Sequence, residues 1–461
     1  MSKRAREDFS EYENSHSNKI TKNESLGNDK KSLFPDEIYH EIISFLDDKF
    51  KILTCSLISK QVFNVIRKYS KLILRFCRPI ESNEKMMNNQ FLENIVELRI
   101  STIMLNAKVL ANILESFKFM TQLTSLEIPN VDLGEISESY FHVKDIPKAG
   151  IIFCQAISQL TNLQKLNVNN CKIGNLGVQF ITQLGNLMEL SVINTGMDAK
   201  GLNLIATRLK NLTKLQFNGT VQHVTSLSNM KQLTSLSMGF DVDVDVKGAK
   251  AISEMNNLTN LSLNTNDEGL EEICKMTQLT SLKVCGFYLT TLGLKFLPRL
   301  KKLRKLNLND HEDFGNEGAK LISELDQLTS LEINDIGIDK KGAKFITNLK
   351  QLTSLTISNN PIFNEGVKYL TELPQLTNLN ARFTKIDNEG VKYLSEMANL
   401  KILNIKRNYV QDLGVESICG MKNLTELDIE QNEISEEGVA KLKEMKQLKV
   451  LKKADQRASK E

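Results

Sequence analysis

The sequence predicts an α/β solenoid, in which short strands alternate with short helices along one stack. Three observations predict it. A leucine-led block recurs as Gln351-Leu-Thr-Ser-Leu-Thr-Ile, Gln375-Leu-Thr-Asn-Leu-Asn-Ala, Asn399-Leu-Lys-Ile-Leu-Asn-Ile and Asn423-Leu-Thr-Glu-Leu-Asp-Ile, with Leu352, Leu376, Leu400 and Leu424 each 24 residues apart. A repeat of this period marks a solenoid. Each block alternates at its end, Leu355 and Ile357 one way and Ser354, Thr356 and Ser358 the other, which is the strand signal. Each block is then followed by Gly366-Val367-x-x-Leu370-x-x-Leu373 or its equivalent, a spacing that suits a short helix. One unit cannot bury both of its apolar edges, so the array is stable only as an array.

From Leu163 onward the lead leucines fall at 163, 187, 212, 233, 258, 279, 303, 328, 352, 376, 400, 424 and 448. The steps from 212 to 233 and from 258 to 279 are short, and the loss is expected in the connecting turn or helix. Upstream the pattern is irregular: Leu72-Ile-Leu-Arg-Phe76 reads as a first, degenerate strand, and residues near 134–150, with Tyr140, Phe141 and His142, as an insertion. At the other end Lys453 stands where the core wants isoleucine, which marks a C-terminal cap.

The block L-x-x-L-x-[IA], with Asn360, Asn408 or Asn432 three residues on, resembles the leucine-rich repeat family. That resemblance implies a horseshoe with a parallel concave sheet and short convex helices, and an amide that hydrogen-bonds the turning backbone at the asparagine. The recurrent Gly248-Ala, Gly318-Ala, Gly342-Ala, Gly366-Val, Gly390-Val, Gly414-Val and Gly438-Val resemble the GALA type of that family. The glycine is expected to let the backbone turn tightly into the helix, and the alanine or valine to let helices pack closely.

The N-terminal part is different. Residues 1–31 are polar and read as a disordered tail, in which Lys3-Arg-Ala-Arg6 is a short match to a nuclear import signal. At Leu33 an apolar pattern begins, with Ile38, Ile42 and Leu46 on one helical face and Pro35 and Asp36 in its first turn. A second helical run covers about 52–68, with Leu53, Leu57, Ile58 and Phe63. Phe34-Pro35-Asp36-Glu37-Ile38, Ile42 and Leu46, followed by Ile52-Leu53, Leu57 and Ile58-Ser59-Lys60, resemble the F-box. Two departures stand out: Phe34 replaces the usual leucine and Val62 the usual tryptophan, with Phe63 beside it. The resemblance implies a helical module over 32–70 that docks on a Skp-type adaptor of a cullin–RING ubiquitin ligase through Phe34, Pro35, Ile38, Ile42, Leu46, Leu53, Leu57, Ile58 and Phe63. Residues 71–94 are then expected as linker and N-terminal cap, 95–453 as the solenoid and 454–461 as a tail.

Composition narrows the function. The formal charge is +3 over 461 residues, which argues against nucleic acid or a membrane surface as partner. The cysteines at 55, 77, 154, 171, 274, 285 and 419 are odd in number and scattered, with no C-x-x-C pair, so neither a zinc site nor a disulfide framework is suggested. The charged start has no signal peptide and there is no long apolar run, so a cytoplasmic protein, with nuclear entry through Lys3–Arg6 open, is expected. The histidines at 16, 40, 142, 223 and 311 lie in unrelated units and no catalytic motif appears, so neither an active site nor a cofactor is expected. Asp241-Val-Asp-Val-Asp245 lacks the glycine and terminal glutamate of a calcium loop and reads as a solvated turn.

The surface expected to act is the outward face of the strands, whose row Asn380, Asn404, Asp428 continues a polar column rich in Asn and Ser. One cluster on it is chemically distinct: Arg382 and Phe383, then Lys406, Arg407 and Tyr409, then Asp428 and Glu430. Arginine and aromatic side chains dominate binding hot spots. Three cations around an aromatic suggest a partner segment that is acidic with an apolar anchor, unless Asp428 and Glu430 neutralise them. A second, weaker candidate is Phe240 with Phe287 and Tyr288. The expected role is to hold a protein target for a Skp–cullin–F-box ligase; the alternatives are a binding scaffold without a ligase role and an effector that borrows a host's ligase.

Overall fold

The computed structural model describes residues 92–100, 113–131, 146–218, 227, 229–239, 243–285 and 288–452, together with the strand Leu72–Phe76. The chain divides after Ser70, and all described residues lie in the unit Lys71–Glu461. The nine expected adaptor-binding residues from Phe34 to Phe63, the loop residues Tyr140, Phe141 and His142, and Lys453 lie outside the described residues.

The described residues contribute seventeen strands to one sheet, and every pairing in it is parallel. Leu72–Phe76, the expected degenerate strand, pairs with Ile95–Ile100 and so extends the sheet upstream of the regular array. Successive units stack in register: Leu355 lies opposite Leu379, Leu379 opposite Leu403 and Leu403 opposite Leu427. These leucines, the lead leucines Leu352, Leu376, Leu400 and Leu424, and Ile357, Ala381, Ile405 and Ile429 form one continuous buried ridge. Helices follow the strands, and each turns the same small face inward. Phe363–Leu370 buries Gly366, Val367 and Leu370, and Asn388–Ser395 buries Gly390, Val391 and Leu394. The strands are mostly three residues long, so packing of the leucine ridge holds the array more than strand pairing does.

Three side-chain ladders satisfy the backbone that such short strands leave unpaired. Behind many of the lead leucines a threonine hydroxyl donates to the carbonyl one unit back, as Thr353 Oγ1 to Thr329 at 3.0 Å and Thr377 Oγ1 to Thr353 at 3.0 Å. In front of the leucine an amide spans the helix-to-strand turn, as Asn399 Nδ2 to the Pro374 carbonyl at 2.9 Å and Asn423 Nδ2 to that of Ala398 at 2.8 Å. The third ladder is the expected asparagine column. Asn360 Nδ2 donates to the carbonyls of Ile333 at 2.8 Å and Ile357 at 2.9 Å, and its oxygen accepts from the amides of Ile336 and Ile338, both at 3.2 Å. Asn408 and Asn432 repeat the arrangement.

Helix starts are also shared between units. Asn364 Oδ1 accepts from the amide of Asp387 at 3.1 Å, Asn388 Oδ1 from those of Gln411 at 2.8 Å and Gly414 at 3.0 Å, and Asp412 Oδ1 from that of Ser435 at 3.0 Å. This corrects the expectation for the recurrent glycines. Gly342, Gly390, Gly414 and Gly438 do not have positive φ and do not make a turn. They lie inside their helices, and a Cβ on Gly390 would stand 2.6 Å from Asn364 Oδ1, one on Gly342 2.6 Å from Asn316 Oδ1. Glycine is required there because the capping side chain of the preceding unit occupies the space.

The short step after Leu258 behaves as expected. The strand Asn260–Thr265 runs almost directly into the helix Asp267–Ile273, with only the capping Asn266 between them, so the turn has been removed. Of the acidic run, Asp243 lies in the strand Asp243–Val244, and Asp245 caps the next helix by accepting from Gly248 N at 2.8 Å.

Candidate functional surface

The strand ends place the cluster. Asn380, Asn404 and Asp428 are direct neighbours across the sheet. Arg382, Lys406 and Glu430 follow two residues later, and the backbone stays paired there: Phe383 N donates to Lys406 O at 3.0 Å and Arg407 N to Glu430 O at 2.9 Å. The three side chains therefore form a second column beside the first.

The column is unequally neutralised. The Lys406 ammonium is ion-paired and hydrogen-bonded to the Glu430 carboxylate, with both groups half-buried. That hydrogen bond holds the Glu430 carboxyl below the usual carboxylate range. Asp428 faces Lys452 Nζ at 3.9 Å. Of the two alternatives left open by the sequence, neutralisation therefore holds for Lys406, which is spent on Glu430 because the two stand at the same position of adjacent units. Arg407 donates through Nε to the neutral Gln431 Oε1 at 2.5 Å and has no carboxylate partner among the described residues. The Arg382 side chain makes no hydrogen bond or ion pair among the described residues, and its Nε is shielded from solvent.

Phe383 and Tyr409 are 51% and 54% exposed, values that set them apart from the buried aromatics of the core. Sequence reasoning missed two neighbours. Phe363 is 43% exposed, and Lys385 Nζ lies over its ring, 5.5 Å from the centroid. The signal was available: Phe363 departs from the glycine found at the matching place in Gly174, and Lys385 from that in Gly337. Of the second candidate, Tyr288 is exposed, whereas Phe240 and Phe287 lie outside the described residues.

Nothing in this surface has the arrangement of a reactive centre. Among the described residues no group of three or more His, Cys, Asp or Glu is placed to hold a metal ion. Burial pushes the Cys154 thiol up strongly and that of Cys171 up to about 12, so neither supplies a thiolate. No described helix is long and apolar enough to cross a membrane.

Residues 281–459 match the family model of a leucine-rich repeat region, and residues 159–181 match a second leucine-rich repeat model. No curated protein matches the chain. Among solved structures, an internalin from Listeria monocytogenes is 21% identical over 74% of this chain and 89% of its own, with a TM-score of 0.44. A plant peptide hormone receptor, RGFR1 in complex with RGF2, is 17% identical over 73% of this chain and 59% of its own, with a TM-score of 0.36. The parallel register, the buried leucine ridge and the two family-model matches together identify the solenoid as one built of leucine-rich repeats.

Proposed function

We propose that the chain is a target-recognition subunit of a Skp–cullin–F-box ubiquitin ligase, with the solenoid holding a protein target and residues 32–70 docking on the adaptor. The observation that carries the reading is the joining, in one chain, of the F-box-like pattern Phe34-Pro35-Asp36-Glu37-Ile38, Ile42, Leu46, Leu53, Leu57 and Ile58 to a leucine-rich-repeat array. The family-model matches begin at residue 159, so the adaptor half rests on the sequence pattern alone. The array supports the target half: its outward strand residues are polar, and the exposed aromatics Phe383 and Tyr409 stand beside Arg382 and Arg407, which have no carboxylate partner among the described residues. Such a subunit performs no bond chemistry. It raises the local concentration of its target near the transfer machinery.

The test mixes the purified full chain with a Skp-type adaptor. The wild type binds, and the double variant Pro35→Ala, Ile38→Asp loses binding while its thermal unfolding is unchanged. A wild type that does not bind the adaptor removes the ligase reading and leaves a protein-binding scaffold.

A further inference from the structure

Left-handed backbone is used throughout the array, but the residues that adopt it change along the chain. The second residue after the buried strand position has positive φ at Asn130, Asn170, Asn194, Asp310, Asp335 and Asn359, with φ between 53° and 65°. Asparagine and aspartate tolerate this region best among residues with a Cβ. In the next two units the same place is held by Phe383 at 53° and Arg407 at 58°. Two further places that elsewhere take left-handed glycine are held by Phe363 at 58° and Lys385 at 63°. Every positive-φ residue among the described ones that is not Gly, Asn or Asp falls between Phe363 and Gln431. Each such placement is less favourable than the glycine, asparagine or aspartate found at the matching places. Strain of this kind, confined to the four adjacent units led by Leu352, Leu376, Leu400 and Leu424, is retained where side chains are needed at the surface rather than in the core.

The side chains so placed share one edge, where the chain leaves the sheet and turns toward the helices. It presents three exposed aromatics, Phe363, Phe383 and Tyr409, and three cations without a carboxylate partner among the described residues, Arg382, Lys385 and Arg407. We propose that this edge, and not the middle of the sheet face, is a docking surface for an acidic peptide segment with an apolar anchor, running across the units at 352, 376 and 400. Charge complementarity selects the occupant. A carboxylate supplies an acceptor for the unpaired, half-buried Arg382 guanidinium, and desolvated arginine–carboxylate pairs are strong and directional. A nucleic-acid strand fits less well, because the chain's formal charge is only +3 and three cations do not make the continuous basic stripe that a line of phosphates needs. The inference rests on the solenoid being a protein-binding surface, and adds where it binds and what chemistry it takes.

The test uses fluorescent twelve-residue peptide pools on the full chain: one of Asp, Glu, Leu and Gly, and one in which Lys replaces the acids. Binding of the acidic pool at least tenfold tighter than the basic pool is expected. Arg382→Gln and Phe383→Asn should each weaken it severalfold, with the melting temperature of Phe383→Asn unchanged or raised, since asparagine suits the left-handed place. Equal binding of the two pools, tighter binding of a poly(U) oligonucleotide, or full binding by both variants overturns the proposal. Peptides selected from an unbiased display library that keep their affinity on both variants leave the solenoid a peptide binder and remove this edge from it.

Discussion

Asn408 completes the turn that contains Thr384, one unit earlier in the chain: its side-chain oxygen accepts from Thr384 N at 3.0 Å and from Ile386 N at 3.2 Å. Its amide donates to the carbonyls of Ala381 and Ile405, but these have second donors in Thr384 Oγ1 and Asn432 Nδ2. Asn408→Ala therefore strands two buried amides rather than four groups. At about 1–3 kcal/mol per stranded group, a loss of roughly 2–6 kcal/mol is expected in denaturant unfolding. A loss well under 1 kcal/mol would mean that water takes over the two amides.

Leu355 is buried between units and its deletion leaves a cavity that the neighbouring ridge cannot fill. Leu355→Ala should destabilise by about 2–5 kcal/mol. Coupling in a stacked array is mainly between neighbours, so hydrogen exchange should accelerate most in the units around and beyond residue 355. Uniform acceleration along the array would contradict nearest-neighbour coupling.

Gly390 and Gly185 should respond oppositely to alanine. A Cβ at Gly390 meets Asn364 Oδ1 at 2.6 Å and displaces the side chain that holds the start of its own helix, so a loss of about 1–3 kcal/mol is expected. At Gly185 a Cβ meets nothing within 4 Å and φ is not left-handed, so Gly185→Ala should be neutral or stabilise by roughly 0.4–1 kcal/mol. Thermal melts of the two variants decide it, and equal shifts would refute the steric assignment.

His311 stands in the asparagine column, buried, with its ring stacked on Phe314 at 4.5 Å and Nε2 directed at the Val284 carbonyl at 3.4 Å. Burial lowers its pKa below the ordinary 6.5, against the opposing pulls of that carbonyl and of Asp310. The unfolded chain then binds more protons than the folded one, so this contribution to stability is full above the unfolded pKa and is lost as pH falls through the folded one. Unfolding free energy should drop as pH falls below the ordinary histidine value of 6.5, and His311→Asn should flatten that part of the curve. An unchanged curve would assign the dependence to other groups.

Much of the fold was legible because two periods overlap without conflict: the alternation Ser354–Ser358 and the unit length that repeats Leu352 at Leu376. The asparagine column was legible for the same reason, as Asn360, Asn408 and Asn432 hold one place in the unit. What was missed depends on contacts between units. Gly390 looked like a turn glycine because the atom that excludes its Cβ belongs to Asn364, in the preceding unit. The cluster was found by composition, but its charge state was not, since Lys406 and Glu430 meet only once the units are stacked in register. Phe363 and Lys385 were overlooked because a turn residue's φ is set by the turn, and only the glycines at matching places betray it.

Three side-chain acceptors at helix starts point the same way along the chain. Asn364, Asn388 and Asp412 each wait in a finished unit for the amides of the helix that comes after. During synthesis from the N-terminus, these three helix starts therefore emerge beside an acceptor already in place, whereas the first amides of the helices at Gly174, Gly315 and Phe363 wait for a carbonyl of the unit that follows. Removing units from the C-terminal end leaves the first kind intact and strands the second, and removing one from the other end does the reverse.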